Sequence, residues 1–567
     1  MSTQTRTTNL PAIIAAVILT AWVTLFLPVP GEAKLAAGAV LVTALLYLVG
    51  RLLRRHRGAG TGTAATINRW SAKSRRQGGV ASTWDLISHT SSWAMRRRAA
   101  VLRPSLGQLS WWRRWRTPVT AYATPLAKVG RLTVWSPCED VTLRVGGPRT
   151  GKTGELACRI ADAPGGVVAT STRTDIVELT APIRQTQGHP TMVFNPSGLG
   201  RWASTVQWSP LTGCRDLTTA QRRAADMIPP SKSADAEVWH VQARRVLAVL
   251  LYAAALEELP MRAVLAWVSE PDARSADAVD RALSRVKDGP EIRSVRATAD
   301  QFFGTNDRTQ TSITTTLMPA LTWLTDTRAA AIGDPDPAKA GKQLDLDTLA
   351  AGTGTLYLLG AEDGVTAPLL AALTAEVAHR ARMRASEQPR GRLDPPLTIA
   401  LDEAALVCPV PLDRWTADMG GRGITIHVSL QSRKQLQQRW GDEGAGTIVN
   451  NSSSIMVFGG TRDPDDLAAW SMLSGERDES VSTHDAGGDL ASTTARKTPV
   501  LSPAQIANLP AQHVMIVRRG IPVSVGRAVM AWQRRDMRRA VRRAPYEPVL
   551  EPTATTTAAA TTAEGTE

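Results

Sequence analysis

Residues 145–154, "VGGPRTGKTG", decide how the rest of this sequence is interpreted. They contain the pattern GxxxxGK[ST] without a gap. A short β-branched run, "VTLRV" (141–145), precedes the pattern, and "TGELACRIADA" after it is typical of a helix. A glycine-rich loop between a strand and a helix turns backbone N–H groups toward a phosphate at the helix N-terminus. The segment therefore predicts a nucleotide site.

The residue types of the loop indicate how ATP and Mg²⁺ would be held. The lysine of this pattern neutralises the β and γ oxygens, and the threonine hydroxyl ligates Mg²⁺. We predict Thr153 as a metal ligand and Lys152 as a catalytic cation. The predicted nucleotide-binding residues are Gly146, Gly147, Pro148, Arg149, Thr150, Gly151, Lys152 and Thr153.

A second site of the required chemistry lies in "PPLTIALDEAA" (395–405). Its apolar run "LTIAL" is typical of a buried strand and ends at Asp402 and Glu403. We predict that Asp402 holds Mg²⁺ through water and that Glu403 activates the attacking water. The alternative is a strand end with two solvated acids.

A third apolar run, "ITIHVSL" (424–430), ends at Gln431. Polar groups at the carboxyl ends of parallel strands face the ligand crevice, so we predict that Gln431 senses the γ-phosphate. A turn or helix-cap residue is the alternative. Arg422, on the glycine-flexible turn before this run, is predicted to act as an arginine finger on a neighbouring subunit, against the alternative of a solvated loop arginine. Arg173 and Asp175 follow another apolar strand, and their roles are open.

Strand-like runs alternate with helix-length segments along most of the chain, which predicts an α/β fold with a largely parallel sheet. With the phosphate loop, this is a RecA-like P-loop core. Strand signals are absent from residues 214–334. Lys152 and Asp402 are 250 positions apart, more than a compact core of this kind requires. An all-α domain inserted at 214–334 accounts for the difference.

The positive charge is localised. The chain has a net charge of +15, and residues 51–130 hold sixteen Lys or Arg against one acid, Asp85. The same region carries six of the 17 tryptophans, most densely in "SWWRRWR" (110–116). Trp with Arg favours a lipid headgroup interface. The same composition also suits contact with nucleic acid, and that alternative stays open.

Two apolar runs, residues 10–30 and 35–50, precede the basic region. The first has about the length that crosses a hydrocarbon core. The polar turn between the runs predicts a transmembrane hairpin, and the arginines after residue 50 place both termini in the cytoplasm. We expect a cell-membrane protein with two spans. A signal peptide is the alternative.

The predicted organisation follows from these segments. The four cysteines are too far apart in sequence to indicate a disulfide scaffold or a zinc site. The predicted parts are a cytoplasmic N-terminus (1–9), a transmembrane hairpin (10–50), a basic Trp/Arg-rich juxtamembrane region (51–130), the first part of the nucleotide-binding domain (131–213), the all-α insert (214–334), the second part of the nucleotide-binding domain (335–535) and a disordered tail (536–567).

The order of these motifs over about residues 10–535, together with "EVWHVQARRVL" and "LSPAQIANLPAQHVMIVRRGIP", resembles the coupling proteins of type IV secretion and conjugation, the TraG/TraD group. The resemblance implies a hexameric inner-membrane ATPase that passes relaxase-bound, single-stranded DNA to the secretion channel. The implied partners are DNA, the relaxase, channel proteins, membrane lipids and further copies of the chain. The C-terminal tail departs from the group, because it has no acidic block beyond two glutamates.

Two other functions remain open. An FtsK-like translocase of double-stranded DNA shares the ATPase core, although the two predicted spans, the long insert and the low-complexity tail speak against it. A receptor that gathers substrate without hydrolysing ATP is the other. Glu403 argues against the receptor, because a scaffold does not need a water-activating carboxylate.

Overall fold

The computed structural model describes residues 79–336, 341–484 and 490–551. The predicted N-terminus, the hairpin, the basic region as far as residue 78, and residues 552–567 lie outside the described residues. Within the three described ranges, no helix combines the length and apolar character needed to span a bilayer.

Eleven strands of the described residues form one sheet, in the order β2-β1-β13-β12-β9-β3-β8-β7-β4-β6-β5, and β10 and β11 form a separate two-stranded ribbon. The strands are β1 (Ala123–Val129), β2 (Leu132–Pro137), β3 (Thr142–Val145), β4 (Val167–Ser171), β5 (Thr191–Phe194), β6 (Thr355–Leu359), β7 (Leu397–Leu401), β8 (Ile424–Leu430), β9 (Ser454–Phe458), β10 (Glu476–His484), β11 (Leu490–Pro499), β12 (His513–Arg518) and β13 (Ile521–Arg527).

Helices precede β1, follow β13 and lie in most of the connections between the strands. They are α1 (Thr83–Asp85), α2 (Ser92–Leu102), α3 (Pro104–Gly107), α4 (Trp111–Arg116), α5 (Lys152–Asp162), α6 (Asp175–Thr186), α7 (Leu217–Met227), α8 (Ala234–Leu256), α9 (Met261–Ser269), α10 (Ala273–Ser284), α11 (Pro290–Phe303), α12 (Asp307–Leu317), α13 (Thr327–Gly333), α14 (Leu346–Ala350), α15 (Ala367–Glu387), α16 (Ala404–Val407), α17 (Leu412–Asp418), α18 (Arg433–Asn451), α19 (Pro464–Ser474), α20 (Pro503–Ala507) and α21 (Arg535–Arg543).

The centre of the sheet is parallel, as predicted. Strands β9, β3, β8, β7, β4, β6 and β5 pair in parallel along the sheet. Every residue of β3, β7 and β8 is buried, so both faces of the centre are covered. Parallel strands covered on both faces are typically continuous apolar runs, which is why these strands were readable from the sequence.

One side of the sheet is antiparallel, which the sequence analysis did not predict. Strands β12, β13, β1 and β2 extend it beyond β9. Two-residue turns join β1 to β2 and β12 to β13, and Gly130 (φ 61°) and Gly520 (φ 84°) lie in them. A connection of this length joins only antiparallel strands. The predicted boundary at residue 130 therefore cuts through this extension, because β1 already begins at Ala123.

The end of the basic region is also part of the folded body. Helices α2 and α3 pack Met95, Leu102 and Leu106 against Tyr122 and Cys138 in one buried cluster. The region from residue 79 onward is thus anchored by an apolar core as well as being basic. Between β5 and β6 the described residues form helices α7 to α14 and no named strand, and α7 to α13 lie within the predicted insert at 214–334.

The predicted disordered tail, 536–567, begins too early. Helix α21 spans Arg535–Arg543, and its Met537 and Ala540 are buried in the same cluster as residues of α5 and α6. Further on, Leu550 forms a β-bridge with Trp202. The i, i+3 spacing of Met537 and Ala540 gives an otherwise arginine-rich helix one apolar face, and that face fixes it to the core.

A buried ion network ties β3 to α5 beneath the loop. The Glu155 carboxylate pairs with the Arg144 guanidinium and, at 3.0 Å, with Arg159 one turn along the helix. Both side chains of the Arg144–Glu155 pair are fully buried. A charge in this position depends on its partners, because no water compensates it.

We expect Glu155→Gln to lower the free energy of unfolding by about 3–5 kcal/mol, because it leaves the buried Arg144 guanidinium without its anion and Arg159 with only Asp162, 3.6 Å away. Denaturant unfolding of the two proteins measures the difference. Glu387→Gln, on the exposed end of α15, is the matched control and should change stability little. A Glu155→Gln protein as stable as the control would show that the network does not hold strand and helix together.

Candidate nucleotide site

The loop between β3 and α5 has the backbone geometry that its glycines allow. Gly151 has a left-handed conformation (φ 103°) immediately before α5 begins at Lys152. A Cβ atom on Gly146 would lie 2.7 Å from Cβ of Phe458, so this position accepts no side chain without a shift. The loop is therefore fixed by left-handed backbone at one end and by close packing at the other.

Lys152 lies within the curve of the loop. Its Nζ donates to the carbonyl oxygens of Gly146 (2.5 Å) and Gly147 (2.9 Å). Burial lowers the pKa of the Lys152 ammonium, while Glu403 and Asp402 raise it. The cation is thus held at the loop, poorly solvated and within the field of two carboxylates.

Thr153 and Asp402, which belong to distant parts of the sequence, are in direct contact. The Thr153 hydroxyl donates to Oδ2 of Asp402 at 2.9 Å. The other oxygen, Oδ1, is buried and has no hydrogen-bond partner among the described residues. Burial raises the pKa of Asp402 to about 6. A hydroxyl and a carboxylate with a free oxygen are hard ligands of the kind that Mg²⁺ prefers, so these residues fit the metal.

Protein ligands to such a metal would be few. Within the described ranges, no group of three or more His, Cys, Asp or Glu side chains is arranged to hold a metal ion. Mg²⁺ is usually bound by one or two protein groups together with waters and substrate phosphates. The pair of Thr153 and Asp402 meets that requirement.

Glu403 follows Asp402 in a left-handed conformation (φ 48°, ψ 47°), which is uncommon for a residue with a side chain. Its Oε1 accepts a hydrogen bond from Nε2 of Gln431 at 3.4 Å, and its Oε2 is buried and has no hydrogen-bond partner among the residues that the structure describes. Burial raises the pKa of Glu403, and Lys152 opposes that shift. The backbone turn therefore directs into the site a carboxylate with an oxygen free to accept a proton.

Gln431 follows the last residue of β8, and β8 is the sheet neighbour of β3, the strand before the loop. Its backbone N–H donates to Oε1 of Gln435 in the first turn of α18 at 2.8 Å. Together, β3, β7 and β8 bring five of the predicted site residues to one edge of the sheet: Lys152, Thr153, Asp402, Glu403 and Gln431.

Arg422 is not at this edge. It precedes β8, and the seven residues of that strand separate it from Gln431 by about 23 Å. Its guanidinium pairs with Asp418 at 2.8 Å on the exposed surface. Its turn is at the amino end of the strand, so Arg422 does not reach the loop of its own chain, and its role on a neighbouring subunit stays a prediction. Arg433 and Arg462, which follow the carboxyl ends of β8 and β9, are at the correct edge.

The other open residues are also at the loop edge. Arg173 and Asp175 follow β4 and pair with each other at 2.7 Å, with the arginine largely exposed. Sequence reasoning missed two further residues, Met530 and Trp532, which pack on Gly151 and Gly154 at the start of α5. The available signal was Gly154 itself, a glycine that the phosphate-loop pattern does not require.

The strand, loop, helix and facing carboxylates define a P-loop protein. A family described as "TraM recognition site of TraD and TraG" matches residues 396–511. The conjugal transfer protein TraG of Rhizobium radiobacter is 21% identical over 388 residues, which are 65% of this chain and 58% of the relative. The chain therefore spans little more than half the length of that relative.

Solved structures agree with this result. The unbound conjugative coupling protein TrwBdeltaN70 aligns with a TM-score of 0.52 at 18% identity, covering 77% of this chain and 92% of that one. TrwB in complex with ADP and Mg²⁺ gives 0.52 at 19% identity, with 72% and 90% covered. These likenesses show a RecA-like P-loop fold. The predicted resemblance to the type IV coupling proteins is confirmed.

Because the Asp402 carboxyl is buried, the free energy of unfolding of the metal-free protein should depend on pH. The folded-state pKa of about 6 is above the ordinary 3.8, so the carboxyl contributes most to stability when protonated in both states, below about pH 3.8. That contribution is lost as the pH rises through 6, where the folded protein must hold a buried charge. Asp402→Asn should therefore stabilise the metal-free protein by up to about 3 kcal/mol at pH 8 and about half as much at pH 5.

Unfolding in EDTA at the two pH values measures this gain. Asp442→Asn, at an exposed position of α18, controls for the loss of one negative charge. An Asp402→Asn protein no more stable than the control at pH 8 would show that the carboxylate is better solvated than its burial indicates.

Proposed function

We propose that this chain is a membrane-anchored ATPase coupling protein that recruits relaxase-bound DNA and drives its transfer through a conjugative type IV secretion system. The observation that carries the proposal is the convergence of Lys152, Thr153, Asp402, Glu403 and Gln431 at one sheet edge. The similar proteins support a role in conjugation, because one is a conjugal transfer protein and the other is the plasmid coupling protein TrwB, whose structure was solved with ADP and Mg²⁺.

Each side chain has a distinct role in this proposal. Bound Mg²⁺ would neutralise charge on the β- and γ-phosphates. Thr153 would hold the metal directly and Asp402 would hold it through water, and Lys152 would contact the phosphate oxygens. Glu403 accepts a proton from the attacking water at its free oxygen Oε2. Gln431, hydrogen-bonded to the other oxygen, keeps that carboxylate oriented and is placed to report whether the γ-phosphate is present.

We expect Glu403→Gln to bind ATP about as well as wild type and to hydrolyse it at least 100-fold more slowly, because only proton acceptance is lost. Nucleotide binding by calorimetry and phosphate release measure the two steps. Glu362→Gln is the matched control, because this exposed acid influences Glu403 electrostatically without belonging to the proposed machinery. Lys152→Ala should lose both binding and DNA transfer.

The same variants separate the proposal from its alternatives. A non-hydrolysing receptor would transfer substrate normally with Glu403→Gln, which would contradict the motor. An FtsK-like translocase would lose ATPase activity as predicted but would act on double-stranded DNA without a relaxase. A motor active on relaxase-bound single strands supports the coupling protein. Assembly as a homo-hexamer is part of the proposal, with Arg422 as the predicted arginine finger between subunits and Arg433 and Arg462 as the next candidates.

Membrane attachment is proposed from the Trp/Arg surface, which comprises Trp93, Trp111, Trp112 and Trp115 with the arginines between and beside them. Helix α4 has no buried residue, and the exposed fraction of Trp112 is 67%. The guanidinium of Arg97 lies 4.2 Å from the ring centre of Trp93, and that of Arg96 lies 5.1 Å from Trp115. Exposed indoles paired with cations suit an anionic lipid interface.

Replacing Trp111, Trp112 and Trp115 by Ser should weaken binding of a fragment beginning at Gly79 to anionic vesicles at least tenfold, while binding to single-stranded DNA changes little. Vesicle co-sedimentation and DNA titration measure both affinities. Trp239→Ser, at an exposed position of α8, is the control. Loss of DNA binding with vesicle binding retained would make the surface a nucleic-acid track.

A further inference from the structure

The chain that leaves the last sheet strand passes directly over the loop helix. Residues 528–534, the C-terminal strap, follow β13, whose Arg527 pairs with His513 at the start of β12. The next residue of β12, Val514, pairs with Phe458 at the carboxyl end of β9, beside the phosphate-loop strand β3. The strap therefore begins at the same edge of the sheet as the candidate site.

The strap is fixed along α5 at several points. The Cys158 thiol donates to the carbonyl oxygen of Val529 at 3.4 Å, and Arg534 pairs with Asp162 at 2.6 Å near the end of the helix. Between these anchors, Ala531 is buried in the core cluster of α5 and α6. The segment is held by packing, a hydrogen bond and an ion pair, so its side chains have defined positions.

Two strap side chains lie on glycines at the end of the loop and the start of α5. The Sδ and Cε atoms of Met530 are 3.1 Å from the position of a Cβ on Gly151. The six-membered ring of Trp532 is only 2.2 Å from the position of a Cβ on Gly154, so no other residue type fits there unless the indole moves. The missing side chain of Gly154 thus allows the indole to pack directly on the backbone of the first turn of α5.

The indole of Trp532 packs on α5 with one side only, and much of its surface stays exposed. Trp532 keeps 49% of its surface exposed although one side rests on the helix. Trp532 therefore exposes a flat apolar ring face beside the phosphate loop. The base of a bound nucleotide also has a flat ring face, which could stack on the indole. Base–aromatic stacking is among the stronger contacts available to a nucleobase, and it depends on the ring face of the base and not on its hydrogen-bonding edge.

A nucleotide bound in the loop would have its base on the side where Trp532 lies. Lys152, Glu403 and Gln431 mark where the γ-phosphate would lie, so the nucleoside end leaves the loop away from them. Gly154 follows Thr153 in the first turn of α5, on the helix that would cradle the phosphates. We propose that Trp532 is the platform on which the base of a purine nucleoside triphosphate stacks, with Gly154 as its seat. This inference rests on the proposed function.

Stacking has a defined consequence for specificity. Stacking contacts the ring face of the base and makes no hydrogen bond to its Watson–Crick edge. ATP and GTP should therefore bind with similar affinity. A pyrimidine presents a smaller face, so CTP should bind more weakly. Inorganic tripolyphosphate has no base and should not respond to Trp532 at all.

The test uses the full chain in detergent and compares ATP with tripolyphosphate by calorimetry. Trp532→Leu keeps an apolar contact with Gly154 and removes the aromatic face, so it should weaken ATP binding about tenfold and leave tripolyphosphate binding unchanged. Trp532→Phe should retain most of the ATP affinity. Gly154→Ala should displace the indole and weaken ATP similarly, with no further loss in the double variant carrying Trp532→Leu. Trp239→Leu is the control and should bind both ligands as wild type does.

The outcomes separate this inference from the proposed function. Unchanged ATP affinity in Trp532→Leu would overturn the platform, and so would an equal loss of ATP and tripolyphosphate, which would mean that the indole supports the loop instead of the base. If wild type binds neither ligand, the proposed function fails first. ATP binding that is lost in Lys152→Ala but indifferent to Trp532 would leave the function standing and remove the platform alone.

Discussion

The hydrogen bond from Thr153 to Asp402 is the constraint on which the site depends. It joins the first turn of α5 to the end of β7 at 2.9 Å, across 249 positions of sequence. It also confines a carboxylate where water is scarce: burial raises the pKa of Asp402 and Glu403 and lowers that of Lys152. All three shifts disfavour the charged form. A site of this kind gains when a cation and a polyphosphate supply the missing counter-charges.

The sheet makes that contact possible. Because β3, β8, β7 and β4 are neighbours and parallel, their carboxyl ends meet at one edge, whatever the chain does between them. The helical segment between β5 and β6 can therefore be large without disturbing the site. Beneath the loop, the buried pair of Arg144 and Glu155 fixes α5 on β3, which sets the position of both Lys152 and Thr153.

Much of the core could be predicted from the sequence because its signals are local. Buried parallel strands are continuous apolar runs, and the phosphate loop is a contiguous pattern, so β3, β7, β8 and the residues that follow them were readable. The antiparallel side was not, since β1 and β13 are mixed in character and their partners are set by tertiary pairing. Arg422 illustrates the limit: a glycine-flanked arginine near a strand indicates a flexible turn, but it does not reveal which end of the sheet the turn occupies.

Helix α21 and the strap before it were missed for a related reason. Seven of the ten residues of "RRDMRRAVRR" are charged, and the spacing of Met537 and Ala540 marks the face that is buried. Gly154 was visible in the sequence, yet its reason lies in Trp532, almost 400 positions away. Residues that act through such distant packing leave no local pattern, so the structure was needed to find them.

The central claim is that Thr153 and Asp402 hold a divalent cation beside a polyphosphate in the loop. The most direct measurement is the anomalous scattering of Mn²⁺ in crystals of the full chain grown with a non-hydrolysable ATP analogue. Ligation by these two residues predicts one peak about 2 Å from the Thr153 hydroxyl oxygen, within one water of the Asp402 carboxylate and in contact with the β- and γ-phosphates. A nucleotide bound outside the loop, or a metal that touches neither residue, would contradict it.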